Sequence, residues 1–393
     1  MRCIGLMSGT SLDGVDGVLA ELGDGNSARV LADVALPMPA DLRARLLALQ
    51  HSGPDELHRA AQAGAALSDL YAQAVRTLLQ HSGLRARDVA AIGAHGQTVR
   101  HVPPGHPALR PGDVPYTVQL LAPARLAEAT GIAVVADFRS RDLAAGGQGA
   151  PLVPAFHRAA FWRPGQALAV VNIGGIANVT LIDAGGHVRG FDTGPGNVLL
   201  DAWCERHTGA PYDADGAWAR QGQVLPALLQ ACLDDPYFQR RGARSTGRDH
   251  FHLGWLDERL RTCGLHAAAA DVQATLVALT AETIVRAIAL PASAPSAQEQ
   301  TPTAAPQPAS ATAPTEVLVC GGGALNGALM LALAERLHPT PVRPTVSRGW
   351  PVQWVEAAAF AWLAQQTLLR RPGNVPEVTG AAGPRVLGAI YPP

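Results

Sequence analysis

The sequence predicts an α/β protein of two lobes that hold one nucleotide between them. Two observations carry that expectation. The first is a set of three glycine-rich turns, each after an apolar run that reads as a strand. They are Met7-Ser8-Gly9-Thr10-Ser11-Leu12-Asp13-Gly14, Asn172-Ile173-Gly174-Gly175-Ile176-Ala177-Asn178 and Cys320-Gly321-Gly322-Gly323-Ala324-Leu325-Asn326-Gly327. Glycine lets backbone N–H groups approach phosphate oxygens closely. The second is a meander of three strands, with glycines at its first bend, that occurs twice. It reads as an internal duplication of one α/β unit.

The first meander runs through residues 2–7, 12–22 and 29–36, with Gly23-Asp24-Gly25-Asn26 at its second bend. The second runs through 168–173, 176–182 and 188–191, bent at Asp183-Ala184-Gly185-Gly186. Helical periodicity follows each: 42–50 and 56–80 after the first, 199–208 and 225–233 after the second. Residues 88–94 read as a strand that delivers His95-Gly96-Gln97-Thr98 at its carboxyl end, where open α/β sheets place ligands. Residues 132–136 do the same for Asp137-Phe138-Arg139. A long apolar helix spans 272–290, and a strand at 316–320 leads through the third glycine turn to a helix at 328–337.

Composition narrows the class. The chain has 393 residues, 48% hydrophobic and 16% charged, with a formal net charge of −1. That length gives a prior of roughly two to three domains. The charge balance offers no footprint for nucleic acid or an anionic membrane. Five cysteines stand singly, with no CxxC pair, so reduced thiols in the cytosol are expected. No signal peptide is expected, because Asp13 and Asp16 follow the first apolar stretch at once. No membrane helix is expected either. Residues 291–315 are almost entirely Ala, Pro, Ser, Thr and Gln, and read as a disordered surface insert.

The motifs leave alternatives open one by one. Gly322 and Gly327 have Walker A spacing, but Ala328 stands where the Lys belongs, so this is not a P-loop. Bare backbone there can still receive a nucleotide; a tight βα turn would look the same. In the first turn, Ser8, Thr10 and Ser11 hydroxyls beside N–H groups suit a triphosphate. A carboxylate at Asp13 or Asp16 suits a hydrated Mg²⁺, although a polar hairpin is the plainer reading. Asp192, at a strand end before Gly194-Pro195-Gly196, is placed as a general base or as a turn cap. Asn197 reads as a helix N-cap.

Arg139 and Arg141, beside the run Gly146-Gly147-Gln148-Gly149, could hold an anionic group or form a surface ion-pair cluster. His95 and Gln97 could hydrogen-bond a sugar. Glu356 opens an apolar helix, where a Glu otherwise only favours the helix dipole.

At these residues the sequence resembles the anhydro-N-acetylmuramic acid kinase family, a branch of the sugar kinase/Hsp70/actin superfamily. The matching segments are GLMSGTSLDGVD at 5–16, AHGQTVRH at 94–101, ADFRSRDLAAGGQGAPLVP at 136–154, NIGGIANVT at 172–180, GFDTGPGN at 190–197, STGRD at 245–249, CGGGALNG at 320–327 and WVEAAAFAWLA at 354–364. The resemblance implies a two-lobed actin-like ATPase fold with a duplicated core of the βββαβαβα type and an interlobe cleft. One lobe would comprise 1–145 with about 356–393, and the other 146–355.

It implies a cytoplasmic, homodimeric enzyme of cell-wall recycling. This enzyme would take 1,6-anhydro-N-acetylmuramic acid, ATP and water to N-acetylmuramic acid 6-phosphate and ADP, with Mg²⁺. Asp192 would be the catalytic base and Glu356 a second carboxylate at the sugar. ATP would meet Gly9, Thr10, Ser11, Leu12, Asp13, Gly14, Val15, Asp16, Gly174, Gly175, Gly321, Gly322, Gly323 and Asn326, with Asp13 on the Mg²⁺ through water. The sugar would meet His95, Gln97, Thr98 and Arg139 together with the two carboxylates. Where the family often has Lys before STGR, this chain has Arg244.

Overall fold

The computed structural model describes residues 1–393 apart from 10, 24–27, 240–245, 248, 265–266 and 291–312. The expectations for Thr10, Arg244 and Ser245, and for most of the insert, lie outside the described residues. The chain forms two compact units, Met1–Phe161 with Arg348–Pro393, and Trp162–Ser347.

In the first unit the chain runs β1 (Arg2–Met7), β2 (Gly14–Leu22), β3 (Ala28–Pro37), α1 (Ala40–Ala48), α2 (Glu56–Ser82) and β4 (Ala91–Ala94). It continues through β5 (Gln97–Val102), β6 (Tyr116–Leu120), α3 (Pro123–Thr130), β7 (Val134–Ala136), α4 (Ser140–Ala144) and α5 (Val153–Phe161). The second unit runs β8 (Leu168–Ile173), β9 (Ile176–Ile182), β10 (Val188–Pro195), α6 (Val198–Thr208), α7 (Pro226–Leu233), α8 (Pro236–Gln239), α9 (Leu253–Cys263) and α10 (Ala269–Ala289). It ends with β11 (Glu316–Cys320), α11 (Gly327–Leu337) and β12 (Val342–Pro344). The chain then returns to the first unit with α12 (Val355–Leu368), α13 (Pro376–Thr379) and β13 (Ala389–Tyr391).

The expected duplication is present in the sheets. In the first unit the order is β13-β7-β4-β1-β2-β3, and in the second β10-β9-β8-β11-β12. Read from the meander outward, β3-β2-β1-β4-β7 and β10-β9-β8-β11-β12 follow one pattern. Each antiparallel meander feeds two parallel neighbours: β1/β4 and β4/β7 in one, β8/β11 and β11/β12 in the other. The carboxyl ends of those parallel strands carry the motifs, as the rule for open sheets demands.

Local chemistry explains the boundaries. Helix α2 buries Leu67, Leu70, Tyr71, Ala74, Val75 and Leu78, a spacing of three and four that makes one apolar stripe. It stops at Gly83, whose φ of 70° is the left-handed cap conformation. Strand β2 begins at Gly14 rather than residue 12, because Leu12 has a φ of 57° and its N–H bonds Gly9 O at 3.1 Å in a turn. The strand expected over 88–94 is shorter, since Ala86–Asp88 form a 3₁₀ turn in which Asp88 accepts from Arg85 N at 2.9 Å.

The resemblance implies lobe bounds at 145/146 and about 355/356; the compact units divide at 161/162 and 347/348. The Phe156 ring on α5 meets Trp350 at 5.1 Å and Trp362 at 6.2 Å, and this aromatic packing holds α5 in the first unit. Helix α10 is long and apolar enough by composition to cross a membrane. It is instead the central core helix of the second unit, with Val272, Leu276, Leu279, Ile284 and Ala287 in the same cluster as Val171, Val179 and Val319.

Candidate active site

In the first unit the candidate side chains come from strand ends and one helix start. His95 follows β4, Arg139 follows β7, Asp16 opens β2 opposite Met7 of β1, and Glu356 sits in the first turn of α12. Helix α12 lies directly on the sheet because Gly5 and Gly93 have no side chains. A Cβ on Gly5 would strike Ala357 O, and one on Gly93 would strike Phe360 O. That contact brings Glu356 to the carboxyl ends of β1, β4 and β7.

Arg139 is the hub. Its Nε and Nη2 donate to His95 Nε2 at 3.1 and 2.9 Å, and its Nη1 donates to Gly149 O at 2.8 Å. Burial, and then the Arg139 charge, push the His95 pKa well below its ordinary value, so the ring is neutral and its proton sits on Nδ1. The His95 ring also packs on Phe360, with centroids 4.8 Å apart. Burial lowers the Arg139 pKa to about 10, against the opposing pull of Glu356 and Asp142. Glu356 is shifted upward by burial, with Arg139 working against the shift. Asp16 is pushed up to about 6 by burial, then by the charges of Glu356 and Asp13. Three half-buried titratable groups thus act on one another electrostatically.

The loop bearing Arg139 is bolted down by Asp142, which is fully buried. Its Oδ2 accepts from Gly149 N at 2.8 Å, and its Oδ1 accepts from Asn374 Nδ2 at 2.7 Å and Thr379 Oγ1 at 2.8 Å. Gln97 Nε2 donates to Gly9 O at 3.2 Å, tying β5 to the first glycine turn. Gln97 Oε1 is buried without a hydrogen-bond partner among the described residues. A buried orphan acceptor costs roughly 1–3 kcal/mol, which suits an atom built to meet a substrate donor. Thr98 Oγ1 accepts from Gln119 Nε2 at 3.2 Å.

Three first-turn side chains point inward. Leu12 and Val15 are core residues, so any phosphate contact from them is made by backbone. The Ser8 hydroxyl is buried against Tyr71 OH at 3.0 Å and Gly96 O at 3.2 Å, not presented to phosphate as expected. Asp13 is exposed, whereas Asp16 faces Glu356.

In the second unit the three turns of the duplicated half converge on Asn197. It is the first residue before α6, but its side chain makes no cap bond. Instead its Nδ2 donates to Ile173 O at 3.1 Å and its N–H to Gly174 O at 2.8 Å, while Gly196 N donates to Gly175 O at 2.9 Å. A Cβ on Gly322 or Gly323 would lie within 3.4 Å of the same amide. Gly321 has a φ of 79° and abuts Asn172 and Ile173. Gly174, Gly175 and Gly321–Gly323 are thus brought together as bare backbone, the surface a nucleotide phosphate or sugar requires. Asn326 caps α11, accepting from Leu329 N at 3.1 Å, and a Cβ on Gly216 would press on its Oδ1.

Asp192 sits on β10 where the ladder with β9 slips between Asp192 and Gly194. Such a bulge re-aims a side chain. Its Oδ2 accepts from Thr246 N at 3.0 Å, and its main-chain O accepts from Tyr237 OH at 2.8 Å.

The sequence profile of one family, described as anhydro-N-acetylmuramic acid kinase, matches residues 1–393. The chain belongs to this family. A protein of that name from Bordetella pertussis is 58% identical over 391 residues, covering 99% of this chain and 95% of that protein. One from Pseudomonas paraeruginosa is 51% identical over 391 residues, covering 100% and 99%. Among solved structures, the activator of the 2-hydroxyisocaproyl-CoA dehydratase from Clostridium difficile with bound ADPNP covers 94% of this chain and 96% of its own. It is 12% identical, with a TM-score of 0.45.

Within this family setting, sequence reasoning missed Asn197, Asp142 and Tyr237. Asn197 carried a visible signal, an Asn closing a Gly-Pro-Gly turn, which also fits a cap. Nothing local marked Asp142 or Tyr237, since their partners lie far along the chain.

Proposed function

We propose that this kinase opens 1,6-anhydro-N-acetylmuramic acid with water and transfers the γ-phosphoryl group of ATP to O6, giving N-acetylmuramic acid 6-phosphate and ADP for cell-wall recycling. The observation that carries the reading is the Asp192 carboxylate, held on a bulge beside the glycine turns. In the anhydro sugar O6 is tied to C1, so it has no hydroxyl until that bond breaks. Asp192 takes the proton from the water that attacks C1. O6 leaves C1 and attacks the γ-phosphate, so phosphoryl transfer assists its departure. The C1 side then follows an inverting glycosidase pattern.

Arg139 pairs with the lactyl carboxylate of the sugar, and His95, Gln97 and Thr98 hydrogen-bond its polar groups. Glu356 orients the water or braces the ring. The first glycine turn at Gly9–Asp16, with the backbone of Gly174 and Gly175, receives the phosphates, while Gly321–Gly323 and Asn326 receive the adenosine. Mg²⁺ neutralises phosphate charge when bound. Among the described residues no group of three His, Cys, Asp or Glu could hold a metal. The exposed Asp13 therefore fits an ion held chiefly by phosphates and water. The family resemblance supports a cytoplasmic location and a homodimer, the latter tested by light scattering of the purified chain.

The activity is tested by ADP release with anhydro-N-acetylmuramic acid, the open sugar and glucose as acceptors. Turnover with the anhydro sugar at a kcat/KM at least about 100-fold above the others is expected. Preference for the open sugar or glucose would make this a different kinase.

A further inference from the structure

One buried carboxylate outside the site, Asp235, holds residues that lead to two of the described contacts of Asp192. Asp235, 3% exposed, accepts from Tyr237 N at 2.9 Å, Trp255 Nε1 at 2.9 Å, Arg259 Nη2 at 3.0 Å and His250 Nε2 at 3.2 Å. Those donors come from α8, from α9 and from the turn before it. Two branches then run to Asp192. In one, Tyr237 stacks edge-on against Phe238 and Phe251 and donates its hydroxyl to Asp192 O. In the other, His250 N and Phe251 N each donate to Gly247 O at 3.1 Å. This holds the turn whose Thr246 N–H binds Asp192 Oδ2. Phe238 closes on the bulge from the other side: a Cβ on Gly194, whose φ is 149°, would meet its ring at 2.8 Å.

We infer that Tyr237 and Asp235 are positioning residues that fix both the backbone and the carboxylate of Asp192. The inference rests on the reading of Asp192 as the base. A strand bulge leaves its ladder locally irregular, so the carbonyl there needs a donor from elsewhere. Tyr237 is that donor. The N–H on Oδ2 sets the rotation of the carboxyl group, and a general base displaced by about 1 Å loses up to about 10²-fold in rate. The four-donor shell on Asp235 makes the two branches rigid together, the supporting shell that a precise site requires.

The test uses the full-length chain with ATP and 1,6-anhydro-N-acetylmuramic acid. Tyr237→Phe deletes one hydroxyl and keeps the ring packing. It is expected to lower kcat about tenfold, with KM for both substrates within about twofold of wild type. Asp235→Asn is expected to lower kcat further. Should it fail to fold, Tyr237→Phe still decides the matter. Adding Tyr237→Phe to Asp192→Asn should leave the residual rate unchanged, because there is no base left to aim. A Tyr237→Phe variant with wild-type kcat overturns the inference. So does one whose factor is undiminished in the Asp192→Asn background, since that is a purely structural loss. Asp192→Asn alone separates the two ideas: if it keeps wild-type kcat, the base assignment itself has failed.

Discussion

Gly5 and Gly93 stand opposite one another in the parallel pair β1/β4, and the backbone of α12 rests on both. Two glycines in adjacent strands remove the side-chain layer that normally separates a helix from a sheet. The helix that carries Glu356 is therefore set at backbone distance from the strands that carry His95. Gly5→Ala or Gly93→Ala should push α12 away, because the obstructing atoms are backbone and cannot rotate aside. Overpacking of this kind costs about 1–3 kcal/mol or more. Urea unfolding is expected to show that loss, together with a fall in kcat as Glu356 moves. Unchanged stability would mean that α12 accommodates the methyl group without shifting.

Arg139→Ala should raise KM for the anhydro sugar much more than KM for ATP. The guanidinium donates to His95 and Gly149 O, and in the proposed reading its charge pairs with the carboxylate of the sugar. Losing a charge-assisted hydrogen bond costs roughly 1.5–3 kcal/mol, about 10- to 100-fold in KM. Steady-state kinetics with each substrate varied in turn decides the matter. A rise confined to ATP would put Arg139 on the nucleotide side.

Glu356→Gln should lower kcat by about 10²-fold or more while the protein stays folded. The swap keeps shape and removes charge from a corner where burial raises the carboxyl pKa and Arg139 opposes the rise. If Glu356 only favours the α12 dipole, the cost is under about 1 kcal/mol of stability and kcat is untouched. Kinetics and thermal melting of the same preparation separate these outcomes.

Asp16 makes stability depend on pH in a definite direction. Its folded pKa is pushed up to about 6 by burial and by Glu356 and Asp13, whereas an unfolded Asp titrates near about 3.9. The native state therefore binds the proton more tightly. The stability this group contributes is complete below about pH 4 and is lost as pH rises through about 6. Asp16→Asn removes that loss. Relative to wild type, the variant should gain up to about 2 kcal/mol between about pH 4 and pH 7 in urea titrations. Parallel pH profiles for the two proteins would show that Asp16 is solvated.

Much of this was legible along the chain, for a physical reason. The meanders and their glycine bends are local features, so strands β1–β3 and β8–β10 and the duplicated order follow from periodicity. Residues whose roles depend on distant partners were not legible. Gln97 is expected at the carboxyl end of the strand over 88–94, but it begins a further strand, β5, whose partner β6 lies beyond a Pro- and Gly-rich stretch. Asn197 reads as a cap, yet its side chain bridges to Ile173 O, while Asn326, expected near the adenosine, caps α11 with its side chain. Asp13 and Asp16 are alike in sequence, and only the placement of α12 distinguishes the exposed carboxylate from the one that faces Glu356.

Asp192→Asn should abolish ring opening and phosphoryl transfer together while leaving ATP and sugar binding largely intact. The Asn amide keeps the shape of the side chain that meets Thr246 N–H but cannot take a proton from water. Because O6 cannot accept phosphate before C1–O6 breaks, both events depend on that one proton transfer. Losing a general base costs about 10²–10⁴ in rate, and coupling to a second event makes the loss larger. A single-turnover reaction in ¹⁸O-labelled water reads both halves. Wild type should place the label at C1 of the sugar 6-phosphate and none in the transferred phosphate. If the Asn variant opens the ring at a near-normal rate without forming ADP, the two steps are separate and Asp192 serves phosphoryl transfer alone.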